Sequence, residues 1–170
     1  TQDELPIVRI HSDCYTGDVL NSGHCDCGDQ LHLAMKIINT NKHGMIVFPA
    51  NHEGRGIGFT EKIKAYNLIQ TENIDTYQAN TSLGHSEDLR TFDYAKGILN
   101  YFGLSTFKLL TNNPNKLNCM PESFNVIQQD CQCAPCETNI DYLTTKAKKH
   151  GILKLPENIK IEQSKKVCII

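Results

Sequence analysis

At 170 residues, of which 39% are hydrophobic and 21% charged, the chain is long enough to bury one hydrophobic core and has no need of a second domain. Its 17 Lys and Arg against 19 Asp and Glu are well mixed along the sequence, so a broad basic face for nucleic acid is not expected. No apolar run nears the roughly 20 residues that cross a bilayer, and no basic-then-apolar leader opens the chain, which leaves a soluble, cytoplasmic protein as the expectation.

Short β-rich runs alternate with helical patterns, the mark of strands and helices layered in one α/β domain. Leu5–Ile10 reads as a strand, and Asp29–Asn39 as a helix with Leu31, Ala34, Ile37 and Ile38 on one face. His43-Gly44 would end that helix as a glycine cap, and Met45–Phe48 reads as the next strand. Glu53-Gly54-Arg55-Gly56-Ile57-Gly58 is a glycine-rich loop leading into a helix from about Phe59 to Glu72, with Phe59, Ile63, Tyr66 and Ile69 at helical spacing. Ser86-Glu87-Asp88 has the composition of a capped, acidic helix start running on to Phe102. Lys108–Leu110 reads as a strand, Asn112-Asn113-Pro114 as the opening of a short helix, and Phe124–Ile127 as a further strand. A cysteine-rich loop follows, then a helix from about Asn139 to Lys149 that Gly151 would end. The expected organisation is a catalytic domain over 1–151 and a tail over 152–170. Because the chain opens on Thr1 and enters an apolar run almost at once, a preceding segment is expected in the longer natural chain. Cys168 stands third from the end, one place off the position that prenylation needs, so a plain tail is expected.

Eight cysteines are many for this length, and their bunching suits metal binding or reduced thiols better than a disulfide framework. Cys14, Cys25 and Cys27 are the most informative set. Three thiolates on zinc leave a fourth position for water, the arrangement of a catalytic site, and bound zinc lowers the pKa of water from about 15.7 toward about 7. His24 would close the site as a fourth ligand, but it adjoins Cys25 and would need strained geometry. The plainer alternative, cysteines that are merely buried or reduced, does not call for a one-residue spacing.

The strings Arg9–Gly28, Glu53–Gly58, Lys62-Ile63-Lys64-Ala65-Tyr66, Ala79-Asn80 with Leu83-Gly84, Leu109–Pro114 and Tyr142–Ala147 resemble the successive motifs of GTP cyclohydrolase II, in order and in register from Ile7 to about Gly151. The resemblance implies a three-layer α/β/α single domain with a mixed sheet, a homodimer, and an enzyme that opens the imidazole ring of GTP with release of formate and pyrophosphate. Its product would be the 2,5-diamino-6-ribosylamino-pyrimidinone 5'-phosphate of a riboflavin-type pathway. It also implies that Cys14, Cys25 and Cys27 hold one Zn2+, that Mg2+ accompanies the triphosphate, and that no membrane or nucleic acid is involved.

Carried over position by position, the resemblance makes Tyr66 the active-site tyrosine, Asp88 the proton acceptor and Arg90 the nucleophile toward the α-phosphorus. An arginine stays protonated far above neutrality, so the chemistry of Arg90 fits a phosphate clamp better than a nucleophile. The residues alone leave other readings open: Tyr66 lies on an apolar helix face, Asp88 is a helix-dipole partner, and Arg90 is a solvated helix charge. The resemblance assigns substrate binding to Arg9, Ile10, His11, Ser12, Asp13, Gln30, Glu53, Gly54, Arg55, Thr76, Thr111 and Lys116. Glycines beside Arg55 let backbone amides approach phosphate, and Thr111 with Lys116 flanks the start of a helix where an anion is welcome.

Two stretches depart from the family pattern. Pro49-Ala50-Asn51-His52 stands where a His-Arg-Gln run leads into the glutamate, which removes hydrogen-bonding groups and opens the alternative of another nucleotide such as UTP in uracil breakdown. Cys131, Cys133 and Cys136 replace a loop usually rich in Gly, Pro and Asn. They either hold a second zinc with Cys119 or His150, or are free thiols. A catalytically silent zinc-binding module is the alternative of a different class.

Overall fold

The computed structural model describes residues 5–150, apart from the side chains of Lys146, Lys148, Lys149 and His150. The 152–170 tail, with Cys168, and the expected stop at Gly151 lie outside the described residues. The chain forms two compact units that alternate along the sequence. One takes 5–11, Gln30–Pro49 and Thr91–Cys133; the other takes Ser12–Asp29, Ala50–Arg90 and 134–150.

The first unit is built on four strands, β1 (Ile7–Ile10), β2 (Gly44–Val47), β3 (Thr106–Leu110) and β4 (Asn125–Gln129), in the order β2-β1-β3-β4. Every pairing is parallel, with Val8 opposite both Met45 and Leu109. The sheet was expected to be mixed. Each of the first three strands is instead followed by a helical crossover to the next, the connection that parallel strands require. Every residue of β1 is buried, as a central parallel strand covered on both faces must be. Alternation divides the contacts: Val8, Ile10, Val47, Phe107 and Leu109 pack on Phe92, Ala95 and Leu99, the last two in helix α4 (Asp93–Tyr101). Ile7 and Leu110 point the other way, to Ala34, Leu33, Ile37 and Ile38 of helix α1 (Cys27–Asn41). Within this unit the layers are therefore α/β/α.

Two local expectations change. Gly44 is not a helix cap: α1 ends at Asn41, Lys42 takes the left-handed turn (φ 65°), and Gly44 opens β2. A Cβ at Gly44 would sit 2.2 Å from the Ile7 carbonyl oxygen, so the close strand approach explains the glycine. Ser86–Asp88 does not start a helix, because α4 begins only at Asp93. Asp88 turns its carboxylate to the Arg90 backbone N–H (3.0 Å), and the Leu89 N–H donates to the Arg55 carbonyl (2.9 Å), so the segment is an anchored turn. The short helix that Pro114 opens, α5 (Pro114–Asn118), and the helix after the cysteine-rich loop, α6 (Ile140–His150), stand where they were expected.

The second unit contains α2 (Phe59–Glu72), at the bounds expected, and an unforeseen helix α3 (Thr76–Ser82). Asp75 caps α3 by accepting from the Tyr77 and Gln78 N–H groups, while the Gln78 side chain accepts from the Asp75 N–H. The inward face of α2 is rotated from expectation. Phe59 is 44% exposed, and Lys62 and Ala65 are the buried positions. A lysine lies inside because its ammonium finds partners there.

Candidate active site

Cys14 ends an extended stretch (φ −149°, ψ 91°) just before a single π-type turn, Tyr15–Val19. Its N–H donates to Asp18 Oδ2 (3.0 Å) and its carbonyl accepts from the Asp18 N–H (2.7 Å), so one aspartate closes the loop. The turn is packed against the start of α1: a Cβ on Gly28 would lie 2.3 Å from the Gly17 carbonyl oxygen, and one on Gly17 would meet Cys25 Sγ at 2.9 Å. Folding this way gathers Cys14, Cys25 and Cys27, whose sulfurs lie within 4.8 Å of one another, with Cys14 and Cys25 at 3.7 Å. Among the described residues no other group of three or more His, Cys, Asp and Glu side chains is so placed.

Of the two alternatives for Cys131, Cys133 and Cys136, the second metal cluster is not gathered among the described residues. The Cys131 thiol donates to the Gln30 carbonyl (3.7 Å), and Cys136 Sγ lies 3.3 Å from the Thr138 hydroxyl. Cys119 contacts the Lys116 carbonyl at 3.3 Å.

Beside Cys14 stands a residue that sequence reasoning passed over. Lys62 Nζ donates to Cys14 Sγ (3.0 Å), Thr16 Oγ1 (2.8 Å) and Glu53 Oε1 (2.6 Å). Glu53 also accepts from the N–H groups of Tyr15 (2.6 Å) and Gly54 (2.9 Å), so both carboxylate oxygens are engaged within the protein. Tyr66, one turn along α2 from Lys62, has its ring 5.5 Å from the ammonium and 5.3 Å from the His24 ring.

Arg90 and Asp88 form a forked ion pair, with Nη2 to Oδ2 at 2.6 Å and Nε to Oδ1 at 2.9 Å. Arg90 Nη1 also donates to Ser12 Oγ (3.3 Å), which sits 3.1 Å from His52 Nδ1. The Asp13 carboxylate accepts from the His52 N–H (2.6 Å). Arg55, in the left-handed region (φ 63°), donates to the Thr76 carbonyl (3.1 Å) and hydroxyl (2.9 Å) and lies 3.8 Å over the Tyr77 ring. The glycines at 54 and 56, also at positive φ, make this turn possible.

A second group belongs to the sheet unit. Arg9 donates to the Leu110 carbonyl (2.9 Å) and Gln30 Oε1 (2.7 Å), His11 stacks on Phe48 at 5.4 Å, and Lys116 Nζ donates to the Ile10 carbonyl (2.7 Å). Thr111 Oγ1 accepts from the Asn113 N–H (3.0 Å). These positions cluster at the carboxyl ends of β1 and β3, the edge where open α/β sheets bind ligands.

The profile of the family described as GTP cyclohydrolase II matches residues 2–128, most of the chain. This chain belongs to the GTP cyclohydrolase II family. It is 43% identical over 148 residues to "GTP cyclohydrolase-2" of Archaeoglobus fulgidus, covering 86% of this chain and 39% of that protein. It is 42% identical over 154 residues to "Monofunctional riboflavin biosynthesis protein RIBA 3, chloroplastic" of Arabidopsis thaliana, covering 89% and 30%. With "GTP cyclohydrolase-2" of Picrophilus torridus the figures are 43% over 148 residues, 86% and 76%. The chain thus spans well under half of the first two relatives and about three quarters of the third.

In this member of the GTP cyclohydrolase II family the electrostatics divide the three thiols. The Cys25 and Cys27 thiols hydrogen-bond to the Cys14 sulfur and Lys62 adds its charge, so Cys14 is held far below the ordinary thiol range against the opposing effect of burial. Donating to that sulfur and lying buried, Cys25 is pushed up to about 12, and Cys27 is raised well above its ordinary value for the same reasons. Burial opposes the Lys62 charge, but Tyr66, Cys14 and Glu53 outweigh it and raise its pKa. Burial raises Tyr66 against the pull of Lys62, which keeps the phenol neutral. Burial also works against both charges of the Asp88–Arg90 pair, yet their mutual hydrogen bonds lower Asp88 and raise Arg90. The family's departure at His52 has a structural outcome as well: the side chain is 3% exposed and belongs to the Ser12–Arg90 network.

Proposed function

We propose that this chain is a zinc-dependent GTP cyclohydrolase II that opens the imidazole ring of GTP and releases formate and pyrophosphate, feeding riboflavin synthesis. The observation that carries the reading is the gathering of three thiols beside a buried ammonium in the same unit as a forked Arg–Asp pair.

The thiols fit the ion. Two sulfurs about 2.3 Å from one tetrahedral zinc stand roughly 3.8 Å apart, and Cys14 and Cys25 are at 3.7 Å. Gly17 leaves open the space between them that a side chain would fill. Cys14, Cys25 and Cys27 would hold zinc, which supplies a Lewis acid that makes water acidic near neutral pH. Tyr66, kept neutral by burial, is suited to donate a hydrogen bond to the reacting ring. Arg90 stays cationic and offers a planar fork to a phosphate whose charge grows as the bond to pyrophosphate breaks. Asp88, already bonded to that fork, aims it; a lowered pKa makes Asp88 a weak base while the pair is closed.

A nucleotide-binding role is proposed for Ser12, Asp13, Glu53, Gly54, Arg55 and Thr76 of the thiol-bearing unit and, on the sheet unit taken by itself, for Arg9, Ile10, His11, Gln30, Thr111 and Lys116, with Mg2+ held through the phosphates. A homodimer in the cytoplasm completes the proposal.

The test is formate and pyrophosphate release from GTP and, in parallel, UTP, with the zinc-loaded wild type and Cys27→Ser. Both products from GTP, lost in the variant together with most of the zinc, are expected. Release from UTP alone would assign a different base, as the altered 49–52 segment allows. Zinc bound with neither nucleotide turned over would make the chain a non-catalytic module.

A further inference from the structure

We infer that Lys62 is a positioning residue of the metal site, fixing the Cys14 sulfur and offsetting part of the charge of the thiolate set. The inference rests on Cys14, Cys25 and Cys27 being the zinc ligands. Lysine is almost never buried without a partner, yet Lys62 is 7% exposed in the first turn of α2. An ammonium has three N–H groups and no acceptor. Each one is used here: on Cys14 Sγ at 3.0 Å, Thr16 Oγ1 at 2.8 Å and Glu53 Oε1 at 2.6 Å. No N–H is left for a substrate, so the group holds structure in place.

Glu53 completes the arrangement. One of its oxygens grips Lys62, and the other accepts from the Tyr15 N–H at 2.6 Å. The pair therefore lashes Cys14 at two points, through its sulfur and through the peptide that follows it. Charge points the same way. Three thiolates around a divalent ion leave one negative charge in a buried place, and the Lys62 ammonium, shared between Cys14 and Glu53, offsets part of the negative charge gathered there. Groups that bond to a metal ligand orient it and tune its basicity, and removing them typically weakens metal binding about 10- to 100-fold.

The experiment compares the purified full chain with Lys62→Met, measuring zinc affinity by competition with a chromophoric chelator. It also records the thiolate-to-metal absorption band after cobalt substitution. A 10- to 100-fold loss of zinc affinity with a shifted cobalt band is expected. Affinity within about twofold of wild type and an unchanged band would overturn the inference. Should Lys62→Met fail to fold because Glu53 is left unpaired, the double variant Lys62→Met with Glu53→Gln removes both charges and is judged by the same two readouts. Failure of both variants to fold in excess zinc would assign Lys62 to general core stability and overturn the inference too. A wild type that takes up no zinc would instead sink the ligand assignment itself, an outcome distinct from equal affinity in wild type and variant.

Discussion

Replacing Gly17 by alanine tests the thiol cluster with one methyl group. Gly17 is not in the left-handed region, so alanine meets no backbone penalty there, and whatever happens reflects space alone. The new Cβ would lie 2.9 Å from Cys25 Sγ, 3.1 Å from Cys27 Cβ and 3.2 Å from Cys14 Sγ. Carbon–sulfur contacts so short force the sulfurs apart by several tenths of an ångström, in a pocket walled by the Gly28 approach and the Lys62 ammonium. Overpacking of this kind costs about 1–3 kcal/mol. If the displacement is borne mainly by the thiol geometry, zinc affinity falls by roughly 5- to 150-fold, since 1.4 kcal/mol is a factor of about ten. Chelator competition measures that fall, and thermal unfolding with and without zinc separates it from a general loss of stability. A Gly17→Ala protein with wild-type zinc affinity and an unchanged zinc-dependent rise in Tm would refute the placement of Gly17 against the ligands.

Asp88→Asn should destabilise the protein at pH 7 by about 1–3 kcal/mol, the worth of hydrogen bonds to a charged partner. Because Asp88 is held below the ordinary carboxylate value of 3.8, its stabilisation is full above that pH and is lost as the pH falls through the lowered value. Denaturant melts of the two proteins should therefore converge below about pH 3.8, and a gap that widens on acidification would contradict the ion pair. Gly97→Ala is the opposite kind of change. Gly97 is exposed inside α4 and a Cβ there meets nothing within 4 Å, so alanine should add about 0.5–1 kcal/mol and raise Tm by roughly 1–4 °C. A fall in Tm would mean that this helix face is covered.

Much of the fold was open to reading because its signals are local. The bounds of α2 follow from a glycine before it and Asn73 in the left-handed conformation after it, and the apolar run of β1 announces a strand buried on both sides. The thiol spacing also spoke for itself, since one residue between Cys25 and Cys27 has no use in apolar packing. Where reading failed, a distant partner had decided the outcome. Ser86–Asp88 has the composition of a helix start, but the Asp88 carboxylate takes the Arg90 backbone N–H and the Arg55 carbonyl takes that of Leu89, which claims the segment for a turn. Seven mostly polar residues hide α3, although Asp75 with Gln78 three places later was a legible capping box. Nothing local marks Lys62, because Cys14 and Thr16 lie 48 and 46 residues away in sequence, and no spacing rule reaches that far.

The alternation of the two units along the chain governs the order in which the protein is completed as it is synthesised. β1 and β2 leave the ribosome before the Ala50–Arg90 block, but β3, which pairs with β1, and β4, which pairs with β3, follow only after that whole block has been made. The thiol-bearing unit waits longer still, for a closing helix that ends at His150. The sheet unit has all its pieces once Cys133 is made, the thiol-bearing unit only with that last helix, and no single cut in the gene would express either of them alone.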